Sequence, residues 1–129
     1  METLDTELFK DPFPHMIVKN FYNDGELKLI WEELDFYTKD GKLFDAHEFG
    51  GVVDKTNSKA IWLDKVFSKK YRSLSNILKV NRKLFDSAVL EAFSSVHDCC
   101  SIAKFCNYDV TKVRYYHDGD YYEPHTDKT

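Results

Sequence analysis

The chain has 129 residues, enough for one domain, and 43% of them are hydrophobic and 16% aromatic, which excludes a disordered polypeptide. Eighteen Lys and Arg against 22 Asp and Glu give a net charge of −4, which does not favour a general nucleic-acid or anionic-membrane binder. No apolar run approaches the roughly 18 residues that a transmembrane helix needs, and the acidic N-terminus does not resemble a secretory signal. Because three Cys make no disulfide framework, we expect a soluble cytoplasmic protein with reduced thiols.

The N-terminal part predicts a short strand followed by an amphipathic helix. Residues 16–21 are mostly apolar and indicate the strand. Asn23 is the expected N-cap, and Glu26, three residues later, completes a capping box. Apolar side chains then recur at helical spacing, which predicts a helix over 24–38 with Glu33 on its polar face.

The middle of the chain predicts a loop and then a long helical segment. Residues 41–60 contain Gly, Asn and Ser among scattered apolar residues, which indicates a loop with one short strand. Residues 67–96 carry apolar side chains at three- and four-residue steps with no Pro or Gly, so we expect one long helix or two abutting ones. A basic cluster accompanies this segment, and a solvated helix face explains it better than a partner-binding patch: Lys65, Lys69, Lys70, Arg72, Lys79, Arg82 and Lys83.

The C-terminal part is rich in β-branched and aromatic residues. A strand is expected over 108–116, a turn over 117–120, and a second strand over 121–127. Helices that come first and strands that come last indicate the α+β class.

His125 and Asp127 lie two residues apart in the second of these strands. Residues i and i+2 of a strand project from the same face, so both side chains can reach one metal ion. With a second His from elsewhere they would form the two-His-one-carboxylate triad of non-haem Fe(II) oxygenases, which leaves three coordination positions open.

The sequence around this pair resembles the motif of prolyl-4-hydroxylase-like Fe(II)/2-oxoglutarate dioxygenases, R-Y-x-x-G-x-x-Y-x-x-H-x-D. The fixed positions from the first Tyr onward are met at the right spacing, while Arg114 is displaced by one position because of the extra Tyr115. The matching residues are Tyr116, Gly119, Tyr122, His125 and Asp127.

The resemblance implies roles for four residues, and strand alternation adds a fifth. His125 and Asp127 would be the catalytic metal ligands. Tyr116 matches a tyrosine whose hydroxyl contacts the distal carboxylate of 2-oxoglutarate, and Tyr122 matches an aromatic residue that lines the site near the iron. Strand alternation would place Arg114 on the same face as Tyr116, so Arg114 is expected near the co-substrate. Because related halogenases replace the carboxylate ligand with a small residue, Asp127 indicates hydroxylation.

The resemblance also implies the cofactors, the partners and the fold. The cofactors are Fe(II) and the co-substrate 2-oxoglutarate, with ascorbate as a further candidate. The partners are O2 and an unidentified small-molecule or peptidyl substrate, and we expect neither a membrane nor a nucleic acid. The expected fold is a single domain over 1–129, with helical support at 23–97 and the start of an incomplete double-stranded β-helix, or jelly-roll (cupin-like) core, at 108–129.

The sequence departs from the family pattern in one respect. The second metal His of the family and the Arg or Lys that anchors 2-oxoglutarate lie far downstream of His-x-Asp, and the other four His do not occupy that position: His15, His47, His97 and His117. We therefore expect the chain to be the N-terminal part of an oxygenase, with two of three ligands and no turnover by itself.

Three alternatives remain at this point. A nucleic-acid dealkylase of the same superfamily also uses His-x-Asp, although the net charge of −4 and the Gly119-to-His125 spacing do not favour it. A catalytically inactive scaffold would be an interaction module. A zinc site is the third alternative, but its residues lack a C-x2-C pair: His97, Cys99, Cys100 and Cys106.

Overall fold

The chain combines helices with small sheets, which agrees with the predicted α+β class. The computed structural model describes residues 4–39, 44–45, 56–57, 59–122 and 124. Within them the sheets have two or three strands each, and the jelly-roll core stays a prediction. The chain divides into two compact units. The first unit contains residues 1–30 and 76–109, and the second contains residues 31–75 and 110–129.

The elements are short apart from the first helix. The α-helices are α1 (Asp24–Thr38), α2 (Leu63–Val66), α3 (Asn76–Asn81) and α4 (Ser87–Ser94). Among the described residues, 3-10 helices occupy Lys69–Leu74, Arg82–Phe85 and Asp98–Phe105. The strands are β1 (Asp5–Phe9), β2 (His15–Lys19), β3 (Phe44–Asp45), β4 (Thr56–Asn57), β5 (Lys59–Trp62), β6 (Lys112–Tyr115) and β7 (Tyr121–Tyr122). None of the helices in these ranges has the length and apolar character needed to cross a membrane.

The first unit contains an antiparallel hairpin, the start of α1 and the helices from α3 onward. Strand β1 pairs with β2 from Asp5 opposite Lys19 to Phe9 opposite His15. The sequence predicted β2 within two residues but not β1, whose residues alternate poorly. The core of this unit consists of buried apolar side chains from the helices and from the turn after α4: Ile77, Leu78, Val89, Val96 and Cys100.

The beginning of α1 confirms the predicted capping box. The Glu26 backbone N–H donates to the Asn23 side-chain oxygen at 2.8 Å, and the Asn23 N–H donates to the Glu26 carboxylate at 2.9 Å. The two residues therefore satisfy each other's backbone donors, and the helix has the predicted bounds.

The second unit contains two small antiparallel sheets. Strand β5 lies between β3 and β6, and β4 pairs with β7. The segment predicted as a loop with one short strand therefore includes β3, β4 and the beginning of β5. The core of this unit is formed by Tyr37, Ala60, Ile61 and Leu63, with Ser75 fully buried beside them.

The prediction of one long helix or two abutting helices over 67–96 was wrong. This segment contains short α and 3-10 helices, with extended backbone at Ser75 (ψ 121°) and at Asp86 (ψ 141°). Ser and Asp have lower helix propensity than Leu or Lys, so a helix can end at them without Pro or Gly. At Ser75 a tertiary contact also favours the break, because the hydroxyl donates to the Glu33 carboxylate at 2.7 Å.

The same contact corrects the expectation for Glu33. This side chain is half-buried, and its carboxylate accepts hydrogen bonds from Ser75 and from the hydroxyl of buried Tyr37. Residues four apart share one face of a helix, so Glu33 lies on the face of Tyr37 and not on the solvated face.

Three members of the basic cluster form ion pairs within their own unit. Arg72 pairs with Asp64 at 2.5 Å, Arg82 with Asp109 at 3.2 Å, and Lys83 with Glu26 at 2.9 Å. These cations have acidic neighbours in the fold, which supports the structural interpretation of the cluster over a binding patch.

Candidate functional site

The segment with the predicted site residues is a strand, a turn and a second strand in the second unit. Strand β6 pairs with β5, with Arg114 opposite Ala60 and Tyr115 opposite Lys59. The chain then turns at His117–Asp120, where the Asp120 N–H donates to the His117 carbonyl at 2.9 Å. The predicted order of strand, turn and strand is thus confirmed. Strand β6 is shorter than the predicted 108–116, and most of the predicted second strand beyond Tyr122 lies outside the described residues.

The Asp120 side chain stabilises the turn, and Gly119 adopts the backbone conformation that the turn needs. The Asp120 carboxylate accepts the His117 backbone N–H at 2.9 Å and so joins the last residue of the turn to the first. Gly119 has φ +87°, a conformation that a side chain would strain. The glycine predicted from the motif therefore lies where the backbone requires one.

Arg114 and Tyr116 occupy different backbone environments. Arg114 is half-buried within β6, while Tyr116 follows the end of the strand and is 44% exposed. Since strand alternation ends at Tyr115, a shared face for Arg114 and Tyr116 stays a prediction. The Tyr116 residue as a whole is thus partly accessible to a ligand.

The remaining predicted site residues are described partly or not at all. Tyr122 lies in β7, with its backbone opposite Thr56 of β4. The side chain of Tyr122, and both His125 and Asp127, lie outside the described residues. The structure therefore describes Arg114, Tyr116 and the backbone of Tyr122. The metal-binding pair of His125 and Asp127 stays a prediction.

His117 has a structural role in the turn. Its Nδ1 lies 3.6 Å from the Asp120 carboxylate, and its ring packs edge-on against Tyr115 with 4.4 Å between ring centroids. The imidazole therefore contacts Asp120 of the turn and Tyr115 at the end of β6.

Asp64, which the sequence did not single out, holds the beginning of β6. One carboxylate oxygen accepts from the Arg72 guanidinium at 2.5 Å, and the other accepts the backbone N–H of Thr111 at the same distance. The Thr111 carbonyl in turn accepts the Leu63 N–H at 3.0 Å. These bonds attach α2 to the chain just before the predicted site. A lone Asp in a short helix gives no sequence signal for this role.

The residues of the zinc alternative are not arranged as a metal site. All four are among the described residues, and no group of three or more His, Cys, Asp or Glu there could hold a metal ion. The His97 Nδ1 instead accepts the backbone N–H of Cys99 at 3.1 Å.

The first unit contains a cavity of about 420 Å³ between the hairpin and the helix starts. Lys83 and Glu26 form its main charged contact, and the Lys83 ammonium also donates to the Phe21 carbonyl. Burial opposes ionisation of the Glu26 carboxyl, but the Asn23 N–H and the Lys83 ammonium outweigh it and hold its pKa below the usual 4.5. The hydrogen-bonding groups of this contact are therefore satisfied within the protein.

Comparison with protein-family models, curated proteins and solved structures gave no match to this chain.

Proposed function

We propose that this chain carries the metal-binding motif of a non-haem Fe(II)- and 2-oxoglutarate-dependent dioxygenase, a hydroxylase of the prolyl-4-hydroxylase-like type. The observation that carries the proposal is the spacing of five residues: Tyr116, Gly119, Tyr122, His125 and Asp127. The positive φ of Gly119 supports it, because a turn glycine is what the motif needs at that position.

The donor set fits ferrous iron. His125 offers a neutral imidazole nitrogen and Asp127 a hard carboxylate oxygen, and both are ligands in this state at pH 7. A second His would complete the triad. When bound, the iron centre supplies the activation of O2 for hydroxylation of a C–H bond, while the protein supplies ligands, orientation and exclusion of water.

The 2-oxoglutarate would lie beside β6. The hydroxyl of Tyr116, a residue that is 44% exposed, is the proposed donor to its distal carboxylate, and Arg114 would add positive charge nearby. Tyr122 would line the site close to the iron, and ascorbate is the candidate reductant.

The fold that we propose for this activity is a jelly-roll core that includes β6 and β7, supported by the N-terminal helices. Two features of the second unit support this arrangement: β6 is paired antiparallel with β5, and β7 with β4. The substrate would be a small molecule or a peptidyl residue.

Anaerobic titration of the chain with Fe(II) and 2-oxoglutarate tests the proposal. The 2-oxoglutarate–Fe(II) chelate absorbs visible light when it is held by the two protein ligands, so we expect this absorption to develop with the wild type and to be lost in His125→Ala.

The matched control is His117→Ala, which removes an exposed imidazole from the same segment and should leave the absorption unchanged. If the visible absorption develops equally in the wild type and in His125→Ala, the proposal is contradicted and the inactive scaffold is favoured.

A further inference from the structure

Two of the three cysteines are adjacent and differ in environment. Cys99 and Cys100 lie in the 3-10 helix Asp98–Phe105 of the first unit. The Cys99 side chain is exposed, whereas Cys100 is buried in the core with 4% of its surface exposed. The third cysteine, Cys106, is exposed just after the helix.

The backbone around the pair is anchored by His97. Its Nδ1 accepts the Cys99 N–H at 3.1 Å, and its carbonyl accepts the Cys100 N–H at 2.9 Å. The 3-10 helix also packs against α4, which keeps Cys100 in the core. The two thiols are thus held next to each other, one facing solvent and one facing the protein.

The chemistry of the two thiols differs accordingly. Burial raises the pKa of the Cys100 thiol, and its hydrogen bond with the Cys99 thiol raises it further. Since the thiolate is the nucleophile, Cys100 is unreactive toward external reagents while it stays buried and protonated. Cys99 is the accessible partner.

We propose that Cys99 and Cys100 form a reversible oxidation site, at which Cys99 reacts first with a low-molecular-weight disulfide and Cys100 then closes a disulfide between the two adjacent residues. This proposal is independent of the dioxygenase proposal, because it uses only the first unit.

The exchange takes place in two balanced steps. The Cys99 thiolate attacks one sulfur of glutathione disulfide, which forms a mixed disulfide and releases one glutathione thiolate that takes up the proton lost by Cys99. Cys100 then gives up its proton and attacks the Cys99 sulfur, which releases the second glutathione. Overall, two protein thiols are oxidised by two electrons and one glutathione disulfide is reduced to two glutathione molecules.

Closing the bond would change the local structure. Consecutive Cα atoms are about 3.8 Å apart, which is shorter than the roughly 4.4–6.8 Å usual for disulfides. The ring would therefore distort the backbone between the two residues and draw the Cys100 sulfur out of the core toward Cys99. A distorted disulfide is easily reduced, which makes the site reversible.

Trypsin makes the test direct, because it separates the pair from the third cysteine. Cleavage after Lys83 and Lys104 gives a peptide, 84–104, that contains Cys99 and Cys100 but not Cys106. The full chain is incubated in a glutathione redox buffer, its free thiols are alkylated, and the digest is analysed by mass spectrometry. We expect peptide 84–104 to lose two hydrogens, to resist alkylation, and to recover both thiols after dithiothreitol.

Two variants identify the partner thiols. Cys106→Ser should oxidise like the wild type, whereas Cys99→Ser should leave Cys100 reduced and unmodified in the folded chain. The proposal is overturned if Cys99 gains a glutathionyl group that never resolves, if a bond to Cys106 links two peptides, or if peptide 84–104 stays reduced throughout.

Discussion

Glu26 combines two roles at the start of α1. It closes the capping box with Asn23, which the sequence predicted from the spacing alone, and it pairs with Lys83 from a helical segment 57 residues away. The capping box is local and therefore readable from sequence. The ion pair depends on the tertiary fold, so no spacing rule could find it.

Replacement of Glu26 by Gln separates these two roles, because Gln can still close a capping box but carries no charge. The lowered pKa of Glu26 means that its ionised form stabilises the fold above the usual value of 4.5 and that this stabilisation is lost as the pH falls through the lower folded-state pKa. We expect Glu26→Gln to be less stable than the wild type at pH 7, and the difference to shrink as the pH falls below 4.5.

Urea denaturation of both proteins between neutral and acidic pH measures this difference. A second variant, Lys83→Gln, should reduce the pH dependence in the same range because it removes the cation. If the difference in the free energy of unfolding between the wild type and Glu26→Gln stays constant with pH, the account is contradicted.

The segment 67–96 shows how far hydrophobic periodicity predicts an element. Its apolar spacing correctly indicated helical structure, and α1 was predicted with its observed bounds. The breaks at Ser75 and Asp86 were not predicted, since no Pro or Gly marks them. Ser75 is placed by its bond to Glu33, a residue 42 positions away, and such a contact has no local signature.

The cluster of Glu33, Tyr37 and Ser75 should contribute to the stability of the second unit. Tyr37 is buried, and burial together with its bond to the Glu33 carboxylate raises the pKa of its hydroxyl, which stays a donor over the physiological range. Tyr37→Phe removes one buried hydrogen bond and should lower the free energy of unfolding by about 1 kcal/mol.

The matched control is Tyr71→Phe, since Tyr71 is 50% exposed. Chemical denaturation should show almost no change for this variant. Equal destabilisation by the two substitutions would contradict a stabilising role of the cluster.

The pairing of distant segments decides the architecture of the second unit. Strand β5 pairs with β6 about 50 residues later in the chain, and no local pattern predicted this register. Predictions were accurate where signals are local, as at the turn glycine Gly119, and they missed Asp64, whose partners come from two other segments.

Asp64→Ala should destabilise the second unit by about 2 kcal/mol, because it leaves the Thr111 N–H and the Arg72 guanidinium without their carboxylate. Thermal and urea unfolding measure this effect. Asp64→Asn retains one acceptor oxygen and should lower the free energy of unfolding by less than Asp64→Ala does. If Asp64→Ala leaves the free energy of unfolding unchanged, this carboxylate does not hold β6 in place.

The metal pair is the central claim, and the direct test is NMR of the chain labelled with ¹⁵N-histidine during anaerobic addition of Fe(II). Paramagnetic iron broadens the signals of the imidazoles that bind it, and His125→Ala assigns the relevant signal among the five His. The account predicts that the His125 signal broadens first, while those of His97 and His117 persist at the same Fe(II) concentration. Preferential broadening of His97, or no preference among the five, would contradict it.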